Sequence, residues 1–220
     1  MELIVALDVE NIADAVSLVN TLKDKVKVFK VGSKLFTAQG PALIDFINSR
    51  GAKVFLDLKY HDIPSVVASA VRIAALKGVF ATSIHLSGGR EMLRAASLAA
   101  PKPLLWGISV LTSLTGDDLK TINVNKSVGE QVWALSIIAR EEKLDGVVCS
   151  CHEIHIVREV GGLQTIVPGV RMTTSGDDQK RTLTPKAAKE LGADYIVMGR
   201  PIISSKNPSE EVDKIFEQIK

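Results

Sequence analysis

Eight short apolar runs recur along the chain, and longer stretches with helical spacing lie between them. The runs lie near residues 3–8, 27–32, 53–59, 79–85, 104–110, 146–150, 165–168 and 195–199. Each is apolar at nearly every position, which suits a strand buried on both faces of a parallel sheet. Between the first two runs, residues 11–23 place Ile12, Ala15, Val16, Val19 and Leu22 at helical spacing. Residues 41–50 do the same with Leu43, Ile44 and Ile47, and Gly51 follows as a stop signal. Residues 64–77 open on Pro64 in the first helical turn and end before Gly78. Residues 127–142 form a long helix with Val132, Leu135, Ile138 and Ala139 inward. Eight such strands with intervening helices favour a closed (β/α)8 TIM barrel of the α/β class over an open, doubly wound sheet. The 220 residues suffice for one such core. No linker or low-complexity stretch interrupts them, so a single domain over 1–220 is expected.

The polar residues of these runs gather at one end. Asp8 closes the first run, Lys30 nears the end of the second, Asp57 and Lys59 end the third, and His85 ends the fourth. In a barrel of this kind the chemistry sits at the C-terminal ends of the strands. Side chains alternate along a strand, so Asp57 and Lys59 share one side, with Leu56 and Leu58 turned toward the helices. By the same parity Ala6 and Asp8 share a side, as do Val28 and Lys30. Charges aimed into a barrel are costly unless paired. Four of alternating sign hold one another ionised at neutral pH. A structural Asp–Lys pair closing the barrel top is the plainer reading, and the company of Lys30 and Asp8 argues against it. A carboxylate in such an array presses against an anionic group of a substrate. A neighbouring ammonium stabilises the negative charge left when that group departs, and delivers a proton to the carbanion. The array therefore suits decarboxylation followed by protonation.

The stretch Asp57-Leu58-Lys59-Tyr60-His61-Asp62-Ile63-Pro64 resembles the signature of orotidine 5′-monophosphate decarboxylases. Ala6-Leu7-Asp8, Phe29-Lys30-Val31-Gly32 and Val197-Met198-Gly199-Arg200-Pro201 are similar to that family in the same order, so the resemblance spans nearly the whole chain. It implies a (β/α)8 barrel, no cofactor, and a homodimer with active sites at the interface. It implies that Lys59 donates the proton to C6 of the pyrimidine and that Asp57 sits beside the substrate carboxylate. Lys30 completes the network and contacts the ribose, and Asp8 binds the ribose hydroxyls. Asp62 is supplied to the neighbouring subunit's site, and Ile63, also from the partner, lines an apolar wall near the departing CO2. One position departs from the pattern. The family has threonine, contacting the ribose, where this chain has Val66. The missing hydrogen bond is worth about 1 kcal/mol.

Pro168-Gly169-Val170-Arg171 ends the seventh run, and a polar segment, 172–181, follows with Gly176 and Gln179. It is too polar for a core and has the character of a movable lid. Loops after strands seven and eight bind phosphate in many barrels. Glycine lets backbone N–H groups approach the anion, and arginine adds a bidentate donor. The resemblance assigns Arg200, Gln179 and the Gly199 backbone to the phosphate and Arg171 to the substrate. It assigns Thr112, which follows the fifth run, to the pyrimidine edge. By itself, a threonine there reads as a helix cap.

The net charge of +2 gives no reason to expect a nucleic-acid polymer or an anionic membrane as partner. No apolar run approaches the roughly 20 residues of a spanning helix. Residues 1–9 lack the basic segment of a secretory signal. Cys149 and Cys151 read as packing residues of a reducing compartment, and a cytoplasmic location is expected. His152 and His155 have helical metal-binding spacing but no third ligand in a compelling position, so no metal site is expected. His85 reads equally as a pocket residue or a polar packing residue. Trp106 and Trp133 read as packing residues, and Gly88-Gly89 is a weak phosphate signal. The nearest rivals are magnesium-dependent 3-keto-gulonate-phosphate decarboxylases and hexulose-phosphate aldolases, which share the D-x-K-x-x-D motif. Those enzymes resemble one another in having glutamate where this chain has Lys30, and a second cation there repels Mg2+. A non-catalytic phosphosugar- or nucleotide-binding barrel has no use for Lys59 and Asp57.

Overall fold

A computed structural model describes residues 1–172 and 183–220. Its strands are β1 (Glu2–Ala6), β2 (Val28–Gly32), β3 (Lys53–Tyr60), β4 (Ala81–His85), β5 (Leu104–Ile108), β6 (Gly146–Val148), β7 (Gln164–Pro168) and β8 (Tyr195–Met198). They pair in parallel and in chain order, and β8 pairs with β1 to close the barrel. All eight expected runs are strands, most of them a residue or two shorter than the apolar pattern. Asp8 and Gly199 lie just beyond their strands because the chain leaves the ladder there for a loop.

Four helices follow the expected spacing: α1 (Ile12–Leu22), α2 (Ala42–Ser49), α3 (Pro64–Leu76) and α4 (Val128–Glu141). Asn11 caps α1 by accepting the Asp14 N–H, and Ser127 with Glu130 forms a capping box on α4. The inward faces are shifted slightly from expectation. In α1, Ala15, Leu18, Val19 and Leu22 are buried while Ile12 is exposed; in α4, Ser136 is buried and Ile138 only partly so. Gly89–Ser97 and Pro208–Ile219 join the outer ring, as do short helices such as Ser33–Gln39 and Pro185–Glu190. The shortest of these are near the limit of what periodicity reveals, and packing against the barrel stabilises them.

Two apolar layers result. The larger lies between barrel and helices and includes Leu56, Val67, Leu105, Val147 and Ile196, with Leu58 packed against it. The smaller fills the barrel itself with Ile4, Ala6, Val28, Phe55, Ala81, Trp106, Ile166 and Val197. Trp106 is fully buried there, its ring 4.6 Å from Phe55 and its indole N–H donating to Gln164. Trp133 instead packs against the outer layer. This plug closes the interior below the strand ends. Two residues beyond several plug residues the same inward face turns polar: Ala6 leads to Asp8, Val28 to Lys30, Phe55 to Asp57 and Ala81 to Ser83. Strand parity alone therefore sets a polar cluster on top of an apolar floor.

Candidate active site

The C-terminal ends of the strands surround a cavity of about 270 Å³, close to the lower end of the roughly 300–1,000 Å³ usual for small-ligand sites. Asp8, Lys30, Asp57 and Lys59 line one side. Ile108, Val110, Leu111 and Thr112 line it from the end of β5, and Val148 and Cys149 from β6. Pro168 to Arg171 and Gly199 to Pro201 complete the wall after β7 and β8. The floor is apolar, through Ala6, Phe55 and Val197.

The four expected charges meet. Lys30 Nζ donates to Asp8 Oδ1 at 3.0 Å and lies 3.8 Å from Asp57 Oδ2. Lys59 Nζ donates to the same Asp57 oxygen at 2.8 Å. Asp57 Oδ1 accepts the Ser83 hydroxyl at 2.7 Å. Burial works to raise the Asp57 pKa, but Lys30, Lys59 and the two hydrogen bonds outweigh it and hold the carboxyl below its ordinary range. Asp57 is thus an anion wedged between two ammonium groups.

The route to this geometry differs from simple alternation. Lys59 has a φ of +52°, in the left-handed region. The pairing of β3 with β4 shifts register between Leu56 and Tyr60. This irregularity re-aims the chain end, as bulges near active sites do. The lysine side chain folds back onto Asp57 from this turn.

Other expected residues fall into three groups. Thr112, Arg171, Gly199 and Arg200 line the cavity with the charged cluster. Gly199 suits its place because an added Cβ would lie 3.3 Å from the Ala6 Cβ and 3.5 Å from Asp8 Oδ2. Asp62 and Ile63 do not join the cavity of their own chain. Both are exposed, and Asp62 Oδ1 accepts the Ile63 N–H at 2.7 Å. Gln179 lies outside the described residues.

His85 lies beside the cavity rather than in its wall, its ring 5.2 Å from that of His61. Burial, His61 and Lys59 together lower its pKa against the opposing pull of Asp57. Cys149 and Cys151 are both buried, and burial raises the Cys149 thiol far above its ordinary range. Among the described residues, no group of three His, Cys, Asp or Glu side chains is placed to hold a metal ion, and no helix is long and apolar enough to cross a membrane. Sequence reasoning missed Ser83. Its only sequence signal is its position two residues before His85, on the inward parity of β4.

Comparison with known proteins places this arrangement. The model of a family described as orotidine 5'-phosphate decarboxylase / HUMPS matches residues 1–215. A Coxiella burnetii protein named orotidine 5'-phosphate decarboxylase is 40% identical over 228 residues, covering 100% of this chain and 97% of that one. One of the same name from Carboxydothermus hydrogenoformans is 42% identical, covering 99% of this chain and 95% of that one. The crystal structure of orotidine 5'-phosphate decarboxylase from Lactobacillus acidophilus matches with a TM-score of 0.87 at 32% identity, covering 100% of this chain and 99% of that one. With a family match over residues 1–215 and relatives at this identity, the chain belongs to the orotidine 5'-phosphate decarboxylase / HUMPS family.

Proposed function

We propose that this chain converts orotidine 5′-monophosphate to UMP and CO2 without a cofactor, as a cytoplasmic step of de novo pyrimidine biosynthesis. The observation that carries this reading is the Lys59 ammonium held 2.8 Å from Asp57, with Lys30 at 3.8 Å, at the mouth of the barrel. Loss of CO2 from C6 leaves an electron pair that no adjacent carbonyl accepts by resonance. A preorganised cation at that carbon is the main resource available. Lys59 stabilises the developing carbanion and then protonates it. Asp57 faces the substrate carboxylate and keeps the Lys59 ammonium aimed.

The remaining residues bind. Asp8 and Lys30 hold the ribose hydroxyls, and Thr112 meets the pyrimidine edge. Arg200, the Gly199 N–H and Gln179 take the phosphate, and Arg171 contributes to substrate binding. Phosphate binding energy gained at the β7 and β8 ends is used at the distant pyrimidine, where it helps distort and align the reacting bond. The active form is a homodimer. Asp62 and Ile63, exposed on their own subunit, complete the partner's site. Ile63, Val66, Ile73 and Leu76 form an exposed apolar row along α3, a surface suited to burial against a second copy.

Within the same family, the metal-dependent sugar-phosphate branch is the competing reading. Lys30, paired with Asp8 at 3.0 Å, puts an ammonium among the acids such a metal needs, and this favours the nucleotide substrate. The test is to mix the protein with orotidine 5′-monophosphate and follow the ultraviolet absorbance. Turnover that survives EDTA and disappears in Lys59→Ala supports the proposal. Normal turnover by Lys59→Ala, with the fold intact by circular dichroism, refutes it.

A further inference from the structure

Ser83 has no role in the reading above, yet it touches both members of the pair on which that reading depends. It stands on the inward parity of β4 between Ala81 and His85, and it is fully buried. Its hydroxyl donates to Asp57 Oδ1 at 2.7 Å and accepts the Lys59 backbone N–H at 2.9 Å. The ladder beside it explains why the N–H is available. Leu56 pairs with Thr82 and Tyr60 with Ile84, so β3 advances four residues while β4 advances two. Lys59 lies within that excess, with φ +52°. A lysine in the left-handed region is strained and persists only where its surroundings hold it. The Ser83 hydroxyl takes the place of a sheet carbonyl as partner of the Lys59 N–H.

We propose that Ser83 is a positioning residue. One oxygen atom ties the left-handed turn at Lys59 to the orientation of the Asp57 carboxylate, so that ammonium and carboxylate move as a unit and the ammonium stays aimed at the reacting carbon. The chemistry requires a hydroxyl, because a single side-chain atom must donate to an anion and accept from an N–H. Alanine fits the space but leaves both partners without their bond. This inference rests on the reading of Lys59 as proton donor.

The experiment compares Ser83→Ala, Ser83→Thr and Lys59→Ala with the parent protein. It measures kcat, KM and the pH profile for orotidine 5′-monophosphate. Circular dichroism and thermal melts check the fold. For Ser83→Ala, kcat is expected to fall about 10- to 100-fold, the scale of a small misplacement of a reacting group, with little change in KM. The groups facing Asp57 are Lys30 from β2, Lys59 from its own strand, and Ser83 and His85 from β4, with Asp8 behind Lys30. Losing the Ser83 bond removes one contact that favours the carboxylate, so the acid limb of the profile moves to higher pH. A hydroxyl that only packs would lower the melting temperature and leave kcat and the limb where they were. Ser83→Thr keeps the hydroxyl and is expected to recover kcat and the parent profile. If Ser83→Ala does not fold, Ser83→Cys, close in volume but a weak hydrogen-bonding group, replaces it with the same expected loss. Parent-like kcat and an unmoved limb in the folded Ala or Cys variant, with Lys59→Ala inactive, overturn the role of Ser83 alone. Parent-like turnover in Lys59→Ala overturns this role together with the proton-donor reading.

Discussion

The Lys30 ammonium stands 3.8 Å from Asp57 Oδ2, beyond hydrogen-bond length but within strong reach of its field. Their side chains are only 13% and 12% exposed, so water screens the pair weakly. After burial, which raises the Asp57 pKa, the charge of Lys30 is the largest influence and it acts downward. Lys30→Met is therefore expected to raise the Asp57 pKa. A carboxyl with a lowered folded pKa contributes stability above its unfolded value and loses it as pH falls through the folded one. In the variant the folded value lies nearer the unfolded one, so less stability is lost on acidification, while the acid limb of kcat/KM moves up with the folded pKa. At neutral pH the rate is expected to fall about 100-fold or more through the weakened preorganised field. A pH–rate profile superposing on the parent's would rule out this coupling.

Arg200 lines the cavity just past Gly199 at the end of β8. If it meets the substrate phosphate, Arg200→Ala removes a charge-assisted contact worth about 1.5–3 kcal/mol. The expected result is a rise in KM of about 10- to 100-fold for orotidine 5′-monophosphate. The variant and the parent should process orotidine, which lacks the phosphate, at nearly the same rate. An equal loss on both substrates would place Arg200 in a structural role.

His85 is held below the ordinary imidazole pKa by burial first, then by His61 and Lys59. Its sign is that of a group kept neutral by folding. The unfolded chain binds a proton near pH 6.5 while the folded chain does not, so stability declines as pH falls below about 6.5 toward the folded pKa. Urea unfolding at pH 7.5 and 5.5 is expected to show this decline in the parent and a smaller one in His85→Gln. Identical pH dependence in the two proteins would mean that His85 titrates alike folded and unfolded.

Ile73 and Leu76 are 54% and 65% exposed on α3, in the same row as Ile63 and Val66. Ile73→Asp puts a charge into the surface proposed for the second copy and is expected to shift sedimentation from dimer toward monomer. Shared sites have a sharper test. Lys59→Ala and Asp62→Ala are each expected to be nearly inactive alone. Mixed and allowed to exchange, they should regain about a quarter of the parent activity, because half the dimers then carry one intact site. No recovery after demonstrated exchange would show that Asp62 does not serve the partner's site.

Much of the molecule was legible in the order of residues because its rules are local. Apolar runs such as 104–110 mark strands buried on both faces, and alternation puts Asp57 beyond Phe55 and Lys30 beyond Val28 on the inward side. Such parity depends only on neighbours in the chain, so the charged end of the barrel follows from it. What tertiary structure alone decided lies between strands. The register that sets Leu56 against Thr82 but Tyr60 against Ile84 is a contact across 26 and 24 positions, governed by how eight strands close into a ring. That register leaves Lys59 in a left-handed turn and brings the Ser83 hydroxyl under it. Alternation has no term for a bulge, because its cost and its compensation are exchanged between residues that meet only when the barrel is closed.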